Sequence, residues 1–104
     1  MAFYTFYQNN SGGIFFSPAQ YVIIEADSFE DANSIALDHG LYFNGVEDKH
    51  DCPCCGDRWH PFYYETSRTD VPMIYGSTDY VSERSTLVVY ASGVTKLFNS
   101  DGLL

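Results

Sequence analysis

Positive charge is scarce in this chain. Its 104 residues include five Lys and Arg against 14 Asp and Glu, a formal charge of −9. Five cations cannot offset that excess along a phosphate backbone, so direct nucleic-acid binding is not expected. Long apolar runs are missing as well. The longest clean one, Leu87 to Ala91, has five residues, against about 20 for a spanning helix, so no membrane insertion is expected. The first 24 residues carry no charged side chain, which leaves no basic region for a leader, and no targeting segment is expected. The expectation is a soluble, intracellular protein. Cysteine is sparse and crowded: Cys52, Cys54 and Cys55 lie within four positions. An odd, tight set is a poor disulfide framework and fits a reducing compartment. Internal repeats and low-complexity tracts are also lacking.

What is present is core-forming material. Hydrophobic residues make up 45% and aromatics 17% of the chain, which argues against compositional disorder despite the charge. The length allows a single domain, residues 1–104. A chain of this size buries about two thirds of its unfolded surface and can fold without staples.

Phe3 to Tyr7 (FYTFY) has the composition of a strand. Asn9 to Gly13 must turn, because two glycines sit beside side chains that tolerate left-handed backbone. Ile14 to Phe16 reads as a short strand before Pro18. Tyr21 to Glu25 (YVIIE) is β-branched and almost continuously apolar, as expected of a strand in the middle of a sheet with a helix on one face. Ser28 then reads as an N-cap, with Glu30 and Asp31 in the first turn. Phe29, Ala32, Ile35, Ala36 and His39 recur at three and four, and Gly40 follows. That predicts a helix from Phe29 to His39 with a left-handed end.

Leu41 to Phe43 reads as a strand or return segment, and Val46 to Arg58 as irregular. Pro61 to Glu65 and Met73 to Tyr75 read as strands with proline at their starts. Ser77 to Arg84 is polar and reads as loop. Thr86 to Ala91 and Val94 to Phe98 flank Ser92-Gly93, a hairpin signal. The tail from Asn99 reads as frayed. The expected fold is α+β: a mainly antiparallel sheet of four to six strands, one packed helix and an irregular cysteine-containing loop.

The cysteine loop carries the only evident site chemistry. Cys52-Pro53-Cys54-Cys55-Gly56 has the form C-P-x-C-G. Two thiolates three positions apart can meet one tetrahedral ion at about 2.3 Å. Proline presets the turn after the first thiolate, and glycine admits the tight backbone after the second. Cys52, Cys55 and His60 spell C-x2-C-x4-H, three quarters of a zinc knuckle, but its fourth position falls on Glu65. His50 is the preferred fourth ligand, ahead of His39 and of Cys54, which adjoins Cys55. The candidate set is Cys52, Cys55, His60 and His50, and the zinc it would hold is structural. The bland alternative is three reduced thiols in a turn. A cysteine nucleophile beside His50 or His60 is disfavoured, because Glu47, Asp48, Asp51 and Asp57 oppose a thiolate. No catalytic residue is assigned.

Charge is unevenly spread. Glu25 to Asp57 holds nine acids and one lysine, a net of −8, whereas the stretch from Arg58 holds five acids and four bases. A block this asymmetric exceeds what solubility requires. It predicts a partner-binding face at Glu30, Asp31, Asp38, Glu47, Asp48 and Asp57, suited to a basic surface of another protein. Helix capping explains Glu30 and Asp31 better than acid–base chemistry does, and a loop explains Glu47 and Asp48. Most of the nine tyrosines and eight phenylalanines must be core. Tyr4, Tyr7, Tyr63, Tyr64, Tyr75 and Tyr80 are candidates for an exposed aromatic strip suited to protein contact or base stacking. The Asn9–Gly13 turn lacks the lysine and the following helix of a phosphate loop.

The stretches FYTFYQNNSGG, YVIIEADSFEDAN and GLYFNGVEDKHDCPCCGDRW resemble a group of small acidic uncharacterised proteins of tailed bacteriophages with a CPCCGDRW-type cysteine block. The likeness covers about the first 60 residues, with a looser match in LVVYASGVTKLF. No site residue carries over from it. The resemblance implies a context: an accessory protein, used for host takeover or counter-defence in the host cell cytoplasm. The expected function is non-enzymatic, binding a host protein and inhibiting or redirecting it. The alternative is a small-molecule binder that sequesters a nucleotide-type signal, stacking it on tyrosines and holding its phosphates with Arg58, Arg68 or Arg84 and the Asn9–Gly13 backbone. A zinc-dependent enzyme is the third reading.

Overall fold

Among the described residues, four strands and two helices make up the regular structure, and both faces of the sheet are covered. The structure is a computed structural model, and it describes residues 1–9, 19–43, 47, 58–65 and 68–99. In chain order the elements are β1 (Ala2–Tyr7), β2 (Tyr21–Ala26), α1 (Phe29–Asp38), α2 (Asp79–Glu83), β3 (Thr86–Val89) and β4 (Thr95–Phe98). The sheet order is β1-β2-β3-β4. β1 runs antiparallel to β2 with Tyr4 opposite Ile24 and Phe6 opposite Val22, and β4 runs antiparallel to β3. The central pair, β2 with β3, is parallel, with Ile23 opposite Val88. The sheet is therefore mostly antiparallel in an α+β fold. Parallel neighbours cannot be joined by a tight turn, so everything from α1 to α2 lies in the crossover between them.

Alternation along the strands sorts side chains into two cores. Ala2, Tyr4, Phe6, Val22, Ile24, Ala26 and Val89 pack with Ala32 and Ala36 of α1, and Leu41 and Trp59 close that layer. On the opposite face Phe3, Tyr21, Ile23 and Val88 pack against Ile74 and against Val81 of α2. Continuous apolar character in YVIIE thus reflects cover on both faces rather than the one expected.

The predicted helix forms as α1. Ser28 has extended backbone, and its Oγ accepts from the Asp31 N–H at 3.2 Å. Gly40, at φ 96°, donates to the Leu37 carbonyl at 3.2 Å, and Leu41 donates to the Ala36 carbonyl at 3.1 Å. Those two bonds are the paired closure of a Schellman motif, with Leu41 as its buried apolar residue. Leu41 to Phe43 accordingly ends the helix and is not a strand.

Three other expectations are corrected. Pro61 to Glu65 is irregular, held to α1 by Asn33, whose amide donates to the Phe62 carbonyl at 2.8 Å and accepts from its N–H at 2.9 Å. Met73 to Tyr75 is not a strand. Ile74 instead exchanges bonds of 3.0 Å with Ser77 across a two-residue turn, with Tyr75 at φ 52° and Gly76 at φ 76°. The polar stretch from Ser77 to Arg84 contains α2, because Val81 docks into the second core. The closing hairpin is as expected, slightly shorter: Tyr90 N–H donates to the Val94 carbonyl at 2.8 Å, and Gly93 takes φ 93°. The expected strand at Ile14 to Phe16 lies outside the described residues, as do the turn after Asn9 and the end of the tail. Asn99 is tied down, its amide donating to the Ser82 carbonyl.

Candidate functional site

The predicted acids on α1 all face solvent. Glu30, Asp31 and Asp38 are exposed, and they share one side of the helix with Ser34 and the exposed Leu37. Ala32 and Ala36 occupy the opposite, sheet-facing side. Glu47 is exposed too. Asp48 and Asp57 lie outside the described residues, as do His50, Cys52 and Cys55. Of the four candidate zinc ligands only His60 is described, and it is exposed beside the buried Trp59. Among the described residues no group of three or more His, Cys, Asp or Glu side chains is placed to hold a metal ion.

Glu30 and Asp31 sit where the helix dipole favours an anion. Asp38 sits in the last turn, which holds no basic residue. A carboxylate there opposes the dipole, so helix stability does not account for it. Acids at both ends thus flank the exposed Ser34 and Leu37 on the solvent side of α1.

The negative side continues into a recess at the carboxyl end of the parallel pair. A cavity of about 230 Å³ is lined there by Met1, Glu25, Asp27, Asp31, Ser34 and Ala91, among others. Such a crevice beside a helix N-terminus commonly takes an anion. Here the first-turn N–H groups of Phe29 and Asp31 are already used. Ser28 takes that of Asp31, and a Glu65 carboxylate oxygen takes that of Phe29 at 3.0 Å. With three carboxylates on its wall, the recess suits a cationic side chain. Glu25 also accepts from the Ala91 N–H at 3.0 Å, which ties β2 to the turn after β3.

Aromatic residues gather at the opposite end of the sheet. Tyr7 lies 5.6 Å from Tyr21 edge-on and 5.0 Å from Tyr75, ring centre to ring centre. The Tyr75 N–H donates to the Tyr7 hydroxyl at 3.2 Å. Tyr75 is 68% exposed at the tip of its turn, and Tyr63 and Tyr64 are exposed as well. Burial pushes the Tyr21 hydroxyl above the ordinary tyrosine value, with Tyr75 adding to the effect. Arg84 lies 4.6 Å over the Tyr80 ring. Tyr4, expected among the exposed tyrosines, is fully buried. Burial pushes its hydroxyl up as well, and a hydrogen bond to Glu65 reinforces the shift.

The chain belongs to a known family. The model described as "Domain of unknown function (DUF7296)" matches residues 1–103. No curated protein and no solved structure matches the chain.

Glu65 is the residue that sequence reasoning missed. In the sequence it reads only as the end of an expected strand and as a mismatch at the fourth zinc-knuckle position. Its carboxylate accepts from the Tyr4 hydroxyl and from the Phe29 N–H, and Arg68 lies 3.8 Å away. Those partners hold its carboxyl below the usual range, the Tyr4 hydroxyl most and the Phe29 N–H next. Nothing local marks it, since Tyr4 is 61 positions away and Phe29 is 36.

Proposed function

We propose that this chain is a phage accessory protein that binds a host protein with a basic surface and inhibits or redirects it in the host cytoplasm. The phage context comes from the resemblance of its three sequence blocks. The carrying observation is the solvent side of α1, where Glu30, Asp31 and Asp38 are all exposed and Asp38 stands where it works against the helix. Glu30, Asp31, Asp38 and Glu47, with Asp48 and Asp57 from the neighbouring sequence, steer a basic partner to the contact. Exposed Tyr63 and Tyr64, which follow the Phe62 held by Asn33 of α1, supply the aromatic anchors that such contacts favour. The nucleotide alternative has weaker support, because each of its arginines is already engaged. Arg58 donates to the Gln8 amide oxygen at 2.8 Å, Arg68 pairs with Glu65, and Arg84 covers Tyr80. A structural zinc held by Cys52, Cys55, His60 and His50 remains part of the proposal, supported by the C-P-x-C-G spacing.

The test is association kinetics with a partner captured from host lysate at low salt. The on-rate should fall steeply as ionic strength rises to where the Debye length is about 8 Å. Changing Glu30→Gln, Asp31→Asn and Asp38→Asn together should slow association and leave the fold intact, since exposed charges contribute little to stability. A partner indifferent to salt and to this triple change would reduce the charge to a solubility device. Thermal stabilisation by nucleotides would then favour the alternative.

A further inference from the structure

Among the described residues, the outer edge of β1 is bonded at both ends and open in the middle. Gln8 N–H donates to the Gln20 carbonyl at 3.2 Å, continuing the register in which Tyr4 faces Ile24 and Phe6 faces Val22. Even-numbered residues of β1 therefore bond β2, and odd-numbered ones turn their main-chain groups the other way. On that side Phe3 exchanges bonds of 2.8 and 2.9 Å with Thr69, and Asn9 N–H donates to the Arg58 carbonyl at 2.7 Å. Between them, the N–H and C=O groups of Thr5 and Tyr7 meet no hydrogen-bonding partner among the described residues.

The chain from Thr69 to Gly76 passes alongside without pairing. Side chains hold it off: Thr5 Oγ1 donates to the Met73 carbonyl at 2.8 Å, and the Tyr7 hydroxyl accepts from the Tyr75 N–H. A slot of about 280 Å³ remains, lined by Thr5, Tyr7, Phe62, Thr69, Met73 and Gly76.

We propose that this slot is a strand-addition site, where an extended segment of a protein partner pairs with the main chain of Thr5 and Tyr7. The inference rests on the binding role proposed above and specifies where the partner's backbone seats. Donors and acceptors alternate on one edge, about 6.8 Å apart from one odd residue to the next. That pattern matches another extended main chain and not a phosphate, which the carbonyls would repel. Phe62, Met73 and Tyr7 offer apolar walls for alternate side chains, the arrangement by which added strands gain specificity. Charge selects the occupant. Exposed Arg68 and exposed Asp70 flank the slot-lining Thr69 and offset each other, so the chain's net −9 is what favours a segment carrying Lys or Arg. A second copy of this chain would bring a second −9.

The test is to pan random dodecapeptides displayed on yeast against the full chain, and to rank the survivors on Met73→Trp, which fills the slot. Enriched peptides should alternate apolar residues, carry Lys or Arg, and bind Met73→Trp about tenfold or more weakly. They should slow hydrogen exchange at the Thr5 and Tyr7 amides of the unaltered protein. Methylating the peptide nitrogen that faces Thr5 should cost about tenfold in affinity, and this holds the test open if Met73→Trp fails to fold. An absence of enrichment, or peptides that leave those two amides exchanging freely, overturns the slot. A concentration-dependent dimer that occludes the slot overturns the choice of occupant. Failure of this inference is separable from failure of the binding role. A captured partner that responds to the triple acid change yet ignores Met73→Trp refutes the slot alone, whereas peptide docking with no response to acid neutralisation refutes the acidic surface.

Discussion

Glu65 ties three parts of the molecule together through one carboxylate. It takes the Tyr4 hydroxyl from the middle of β1, the Phe29 N–H at the start of α1, and a place beside Arg68. Its lowered pKa makes the folded state bind a proton less readily than the unfolded chain does. The stabilisation is therefore present above the ordinary value of 4.5 and disappears as pH falls through the lowered folded value. Chemical denaturation from about pH 6 down to about pH 3 should show that loss, and Glu65→Gln should flatten the corresponding part of the acid limb. Tyr4 acts at the other extreme. Its hydroxyl is raised, so the unfolded chain ionises first, and stability should decline as pH passes the ordinary tyrosine value of 10.0. Tyr75 shows a different economy: a bulky residue at φ 52° in a turn costs about 1 kcal/mol or more of backbone strain, set against its contacts with Tyr7 and Tyr21.

At the level of elements, β2 and α1 make opposite demands on their residues. β2 has apolar cover on both faces, so neighbouring side chains should matter equally. Ile23→Ala and Ile24→Ala are each expected to cost about 2–5 kcal/mol, read from the midpoints of urea unfolding. A mild effect at Ile23 would mean that α2 and the Ile74 turn do not cover that face. α1 is the reverse, half buried and half charged. Asp38→Asn removes an anion from the helix C-terminus and should raise stability by about 0.3–1 kcal/mol, while slowing capture of a basic partner. A gain in stability with a loss of association rate identifies a residue kept for binding. The helix and its acids were legible in the sequence because a 3.6-residue period states which side faces water. The recess beside Asp27 and the slot beside Thr5 were not, since their walls come from segments far apart in the chain.

Taken as a whole, the molecule concentrates its charge. The excess lies between Glu25 and Asp57, from the end of β2 through α1 and into the cysteine block. Metal binding there would oppose some of that charge locally and anchor the segment to Trp59, which is buried against the α1 face. Untagged protein should carry about one zinc per chain, and Cys52→Ser should remove most of it and lower the melting temperature. Metal-free protein that melts identically would make the cysteines incidental.

The amino-acid sequence by itself determined the parts whose signals are local. Ser28 and Gly40 bracket α1, Gly93 closes the final hairpin, and the apolar run of β2 marks the centre of the sheet. Each of these is decided within a few residues, by a cap, a left-handed backbone position or side-chain alternation. Tertiary structure alone decided the parallel pairing of β2 with β3, the burial of Tyr4, the task of Glu65 and the existence of α2. A helix as short as α2 cannot offset its own nucleation cost in water, and it forms where Val81 finds the second core. Pro61 to Glu65 has strand composition but no strand partner, because the Asn33 amide takes the main-chain groups of Phe62. Those outcomes depend on partners about 30 to 60 residues away, and composition within a short window says nothing about which distant segment will supply the bond.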